Sequence, residues 1–157
     1  FVYCDNEQEL LEGLAGLFDS QGWTQLLCTE KDIIAKAQAL GINLITPADA
    51  SLDKADACIT GCESLIARTG SVILSSKQPM GRIGPVFFPV HIIVAYSNQV
   101  VDDIGDGLDQ IHSKYGAAMP SLINLNTGPS RTADIEKTLV VGVHGPKEVF
   151  CFLVNRQ

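Results

Sequence analysis

The densest concentration of chemically useful side chains lies where Leu122–Asn126 runs into Gly128-Pro129-Ser130-Arg131-Thr132 and on to Asp134 and Glu136. An apolar strand entering a Gly-Pro-Ser loop, with a helix start expected at Thr132, turns backbone N–H groups and small hydroxyls toward one spot. Ser130, Arg131 and Thr132 add donors. The chemistry suited to such a loop is anion binding: a carboxylate, a phosphate or the tail of a cofactor. Asp134 and Glu136 fit a first helical turn, where carboxylates complement the dipole, or they orient Arg131. An ordinary strand-to-helix turn accounts for the same spacing equally well.

A second cluster, Gly142-Val143-His144-Gly145-Pro146, places His144 between glycines that permit close backbone approach. His144 is a proton donor or acceptor near neutral pH; a tight turn before the last strand is the simpler explanation. A third, Thr69-Gly70-Ser71 with Ser75 and then Arg82, would line a pocket at a sheet edge with hydroxyls and a cation. His91 re-enters the core as a strand-end hydrogen-bonding residue, and His112, on a helix near Asp109, reads as solvated. An enzyme would need a carboxylate nucleophile or base, for which Glu63 and Glu136 are the candidates. Thr60-Gly61-Cys62-Glu63 also matches a capping box, which gives Glu63 a purely structural role at a helix start.

No Walker loop, no Gly-x-Gly-x-x-Gly, no Gly-x-Ser-x-Gly elbow and no His-Glu-x-x-His occurs, so no cofactor is evident in this chain. The five cysteines include no Cys-x-x-Cys pair. Cys58 and Cys62 are too loosely spaced for a metal site without further ligands. Reduced core thiols of a cytoplasmic protein are expected.

These residues need a scaffold, and the apolar spacing supplies one. Asp5-Asn6 caps a helix from near Glu7, with Leu10, Leu11, Leu14, Leu17 and Phe18 inward and Gly22 as its stop. Gln25–Cys28 reads as a strand. Thr29 and Asp32 open a second helix, with Ile33, Ile34, Ala37 and Leu40 on one face and Gly41 at its end. Ile42–Thr46 and Ala57–Thr60 follow as strands. This alternation is that of a mostly parallel α/β sheet with helices on both faces, built from βαβ crossovers. Gly70–Ser75 and His91–Tyr96 are strands joined by a long connector carrying Pro79, Gly81, Gly84, Pro85 and Pro89. Asp102-Asp103 caps a third helix with Ile104, Leu108, Ile111 and Tyr115 inward, and strands at Ser121–Leu125 and Val149–Val154 complete the pattern.

With 157 residues, 46% of them hydrophobic, the chain suits one domain over residues 1–157 with a substantial core. A charged fraction of 18% and a positive mean hydropathy argue against disorder. A net charge of −7, with 11 basic residues thinly spread, disfavours nucleic acid as a partner. No run of roughly 18 apolar residues is available to span a membrane. The chain opens on Phe1 within an apolar segment, so a longer, N-terminally trimmed protein is expected.

Gly128-Pro129-Ser130-Arg131-Thr132-Ala133-Asp134-Ile135-Glu136, followed by Gly142–Pro146, resembles the signature of the LUD (lactate utilisation) domain family. Ile59-Thr60-Gly61 through Ala67, Thr69-Gly70-Ser71, and Arg82 ahead of Pro89 and His91 resemble its middle motif; Ser71 stands where the family usually has Thr. The resemblance implies a fold like that of sugar-phosphate isomerases and coenzyme A transferases. It implies a part in bacterial oxidation of L-lactate to pyruvate beside iron–sulfur partner proteins, as an accessory or ligand-binding subunit. An isomerase or coenzyme A transferase-like enzyme acting on a small carboxylate or phosphorylated substrate is the alternative. Longer members begin with a helical segment not seen here, and larger relatives carry iron–sulfur cysteine motifs that this sequence does not.

Overall fold

The computed structural model describes residues 1–39, 41–42, 44–46, 54–132 and 140–156. Four layers position the candidate residues. At the centre is a parallel sheet of β1 (Val2–Cys4), β2 (Leu26–Cys28), β3 (Leu44–Ile45), β4 (Ala57–Thr60), β7 (Val90–Tyr96) and β12 (Glu148–Val154), in the order β1-β12-β7-β4-β2-β3. The long pairing is β7 with β12, from Val90 opposite Glu148 to Tyr96 opposite Val154. β2, β4 and β7 are buried along almost their whole length, which is why they read as continuous apolar runs rather than alternating ones, whereas β12 is only partly buried.

One face of this sheet carries α1 (Glu7–Gln21) and α2 (Lys31–Ala39). Leu10, Leu11 and Leu14 of α1 and Ile33 and Ala37 of α2 pack on Leu26, Ile59, Ile92, Val94 and Phe152. The Asn6 side chain accepts from the Glu9 N–H at 3.0 Å and caps α1, and Gly22 ends it at φ 65°, a conformation that favours glycine. Leu40, expected on the inner face of α2, lies outside the described residues.

The opposite face is covered by a second sheet, which the sequence pattern had not separated from the first. It comprises β5 (Ser64–Ile66), β6 (Ser71–Ser75), β8 (Val100–Val101) and β9 (Ile123–Asn126), ordered β8-β5-β6-β9. Val72 and Leu74 of β6 face Ile93 and Ala95 of β7. Ile73, of opposite parity, turns outward to Ile66 and to Ile111 of α4 (Ile104–Tyr115). The mostly parallel α/β domain is therefore present, with α4 backing the second sheet as the outermost layer.

Two local expectations need correction. Thr60–Glu63 starts no helix: the Glu63 N–H donates to the Ile73 carbonyl at 2.8 Å and leads into β5. Leu108 is 42% exposed, because Gly107 is the α4 residue that turns inward, where an added methyl would meet Ile73 Cδ1 at 2.6 Å and Ile66 Cδ1 at 3.0 Å. Thr132 itself is a strand residue, since β10 (Arg131–Thr132) pairs antiparallel with β11 (Val140–Val141), and the helix expected after it falls outside the described residues. The connector between β6 and β7 is a set of turns followed by the single helical turn α3 (Gly84–Phe87).

Candidate functional site

Beyond β9, the chain folds Gly128-Pro129-Ser130 against His144-Gly145-Pro146 through three hydrogen bonds. The Ser130 N–H donates to the Pro146 carbonyl at 2.8 Å, and the Gly142 N–H donates to the Ser130 carbonyl at 3.0 Å. The His144 N–H donates to Ser130 Oγ at 3.3 Å. Gly145 sits close against the opposite loop: a methyl there would stand 3.2 Å from Ser130 Cβ, tight enough to push that side chain by a few tenths of an ångström, and 3.5 Å from the Pro85 carbonyl oxygen. Gly128 lies at φ 92°, a region glycine adopts without strain.

The result is an open hollow of about 310 Å³. Its floor and walls include Asn124, Thr127, Ser130, Arg131, His144 and Pro85. Arg131 is exposed and has no ion pair among the described residues. Ser130 holds the loops together with its N–H and its Oγ lone pair, and its hydroxyl hydrogen remains a donor. Arg131, Ser130 and His144 thus line the hollow with side chains able to donate hydrogen bonds. Thr132 follows Arg131 in β10. Asp134 and Glu136 lie outside the described residues.

The other candidates do not all converge here. Thr69 and Ser71 reach the rim indirectly: Thr69 Oγ1 is 2.7 Å from Ser71 Oγ, which is 2.8 Å from Thr127 Oγ1. Gly70, at φ 64°, makes the β5–β6 turn beside them. Arg82 is engaged elsewhere, donating to Ser121 Oγ ahead of β9. Ser75, at the far end of β6, donates to Glu63 Oε1 at 2.6 Å. The single hollow expected from Thr69, Arg82, Ser130 and His144 is thus reduced to the Gly128–Arg131 and His144–Pro146 segments, with Thr69 one hydroxyl chain away.

Glu63 is 8% exposed and lines no part of the hollow. Its Oε1 accepts from Ser75 and from the Tyr115 hydroxyl at 2.8 Å, and its Oε2 accepts from Lys114 Nζ at 2.8 Å. Burial pushes its pKa up, but the hydrogen bonds from Lys114, Ser75 and Tyr115 outweigh that and hold it below 4.5. A carboxylate so engaged is a structural anchor between β5, β6 and α4. A carboxylate for group transfer in the hollow would have to come from elsewhere.

His91 is fully buried on β7. Its Nε2 lies 2.8 Å from Thr60 Oγ1, and its Nδ1 has no partner among the described residues. It is a core residue, and burial pushes its pKa from 6.5 down to about 4. A depressed pKa means that the unfolded chain binds the proton first. The stability His91 contributes is therefore complete above 6.5 and drains as pH falls toward about 4. We expect about 2 kcal/mol of stability to be lost between neutrality and about pH 5. Urea unfolding at a series of pH values checks this; a slope unchanged in His91→Asn would contradict it.

The cysteines are all free, with Cys4, Cys28, Cys58 and Cys62 buried and Cys151 half-buried. Burial pushes the Cys28 thiol up to about 12, leaving it unreactive near neutrality. No helix among the described residues is long and apolar enough to cross a membrane. The sequence pattern passed over a second crevice, at Thr29-Glu30-Lys31, because those residues also read as a helix start; the available signal was a polar triplet directly after an apolar strand.

Fold and site together define a layered α/β domain with a polar hollow at the end of its second sheet. The chain belongs to the LUD domain family, whose model matches residues 2–154. Among its relatives, lactate utilization protein C of Deinococcus radiodurans is 35% identical over 107 residues, covering 68% of this chain and 50% of that protein. That of Bacillus subtilis is 36% identical over 105 residues, covering 66% and 44% respectively. Lactate utilization protein C 1 of Bacillus mycoides is 30% identical over 164 residues, covering 99% of this chain and 63% of its own. The chain spans about half the length of the first of these relatives. A DUF162-family protein of Deinococcus radiodurans shares the fold, with a TM-score of 0.68 at 24% identity, covering 98% of this chain and 87% of that one.

Proposed function

We propose that the chain serves lactate utilisation as an accessory, ligand-binding subunit that holds a small organic anion in the Gly128–Pro146 hollow and works with iron–sulfur partner proteins. The observation that carries this is Arg131, free of ion pairs among the described residues, lining the same hollow as Ser130 and His144. An unpaired guanidinium in a concave site is a carboxylate partner in waiting, because its planar fork matches that group. The names of the relatives at 30–36% identity point to lactate, and the family resemblance adds the L-form and its oxidation product pyruvate. At about 310 Å³ the open hollow is larger than a three-carbon acid needs, so a ligand there leaves room for a partner's group to approach.

Isothermal calorimetry with L-lactate and pyruvate tests this reading. We expect millimolar or tighter binding, weakened roughly tenfold in Arg131→Gln, since one charge-assisted pair is worth about 1.4 kcal/mol. Equal affinity in the wild type and the variant, or no heat with either acid, would remove the hollow as the ligand site.

A further inference from the structure

The central sheet contains a second place built to receive a ligand, on residues that the hollow does not use. In parallel α/β sheets, ligands bind outside the carboxyl ends of strands, where successive connections leave for opposite faces. Here that point falls between β2 and β4, which are hydrogen-bonded neighbours. From β2 the chain passes through Thr29 and Glu30 into α2 on one face, whereas from β4 it passes through Gly61 to β5 on the other. A crevice of about 420 Å³ opens there.

Its walls come from the ends of several parallel strands. Glu30 spans the split, accepting the Gly61 N–H on Oε1 at 2.9 Å. Gly61 leaves space for that bridge; a methyl on it would sit 3.3 Å from the same oxygen. Lys31 stands at the first position of α2, where the helix dipole adds its positive end. On the other side, after β12, the Arg156 guanidinium lies over the Tyr96 ring at 5.0 Å, and the Arg156 backbone N–H donates to Ser97 Oγ at 3.0 Å. Thr29 lines the crevice, and its buried hydroxyl has no partner among the described residues, although buried polar atoms are nearly always paired.

We propose that this crevice binds a hydroxylated organic anion larger than lactate. The anionic head faces Lys31, the start of α2 and Arg156. The hydroxyl groups donate to Glu30, whose carboxylate the Gly61 N–H fixes in place. The lining also holds the Glu7 carboxylate at the start of α1; an anion without hydroxyls offers no donor to Glu30 or Glu7, and a neutral sugar makes no use of the Lys31 and Arg156 charges. The crevice therefore selects a molecule carrying both groups. Its volume, about a third larger than that of the hollow, suits a chain of five or six carbons.

The test uses the full chain, with D-gluconate, hexanoate and inorganic phosphate as probes in isothermal calorimetry. Gluconate is expected to bind at least tenfold more tightly than hexanoate. Lys31→Gln and Arg156→Gln are each expected to weaken gluconate roughly tenfold, and Glu30→Gln to weaken gluconate while leaving phosphate within about twofold. Arg131→Gln, in the hollow, should leave gluconate affinity unchanged, so this proposal and the lactate reading fail separately. Absence of gluconate binding, equal affinity for gluconate and hexanoate, or gluconate affinity unaltered in both Lys31→Gln and Arg156→Gln would overturn it.

Discussion

Gly81→Ala is expected to destabilise the chain by about 3 kcal/mol or more, a loss at the upper end for a single added methyl. Gly81 is buried in the connector between β6 and β7, and its N–H donates to the Gln78 carbonyl at 3.1 Å. A methyl there would be driven into the Ser75 carbonyl oxygen. That oxygen belongs to the β6 backbone and already accepts the Gln78 N–H at 3.1 Å, so it cannot swing aside as a flexible side chain could. Relief requires the connector to lift off the sheet and carry α3 with it. Pro85 and Val86 of α3 form a wall of the hollow, so ligand affinity should fall together with stability. Urea unfolding and a lactate titration on the same variant check both; a variant within about 0.5 kcal/mol of the parent would show that the connector is not packed as described.

Glu63→Gln is expected to cost about 2 kcal/mol while leaving ligand affinity in the hollow unchanged. The amide preserves shape but replaces one acceptor oxygen with a donor. Ser75, Tyr115 and Lys114 all donate to this carboxylate, so an amide that keeps its oxygen toward Lys114 forces the buried Ser75 and Tyr115 hydroxyls to turn from donors into acceptors, and Lys114 loses its charged partner. The Lys114 ammonium itself is 60% exposed and recovers much of its solvation, which keeps the loss below that of a fully buried ion pair. Because the Glu63 pKa is lowered in the folded chain, the stability it contributes is present above 4.5 and is lost as pH falls below that value. The variant should lack this acid-side loss yet retain the His91 loss that begins at higher pH. A Glu63→Gln variant of undiminished stability with abolished ligand chemistry would instead mark Glu63 as reactive.

Periodicity carried the sequence reading where a single layer decides the pattern. Leu10, Leu11 and Leu14 face one sheet and nothing else, so helical spacing identified them. It failed where a distant strand competes for the same groups. Thr60-x-x-Glu63 has the letters of a capping box, but Thr60 Oγ1 is taken by His91 and the Glu63 carboxylate by Ser75, Lys114 and Tyr115. Those partners lie far along the chain, and no local window contains them. Likewise Arg131-Thr132 follows a loop that suits a helix, but Val140 and Val141 supply a pairing edge that makes it a strand. The inward face of α4 was misjudged at Leu108 because a glycine, with no hydrophobicity to signal it, is what allows the helix to approach Ile66 and Ile73.

The same limit divided the site residues. Ser130 and His144 come together because both belong to one pair of loops joined by short hydrogen bonds, and glycine spacing pointed to that closeness. Arg82 precedes α3 by a short interval, yet its guanidinium is engaged by Ser121, a residue with nothing in its sequence surroundings to mark it. Charge and spacing indicate which groups are available for chemistry, whereas the direction in which a long side chain turns depends on partners brought in by the fold.

The most direct measurement is an amide chemical-shift titration of the nitrogen-labelled chain with L-lactate. The account predicts that Gly128, Ser130, Arg131, His144 and Gly145 shift together along one saturating curve, and that the curve vanishes in Arg131→Gln. Shifts confined to other parts of the chain, or a curve that survives the loss of the guanidinium, would contradict it.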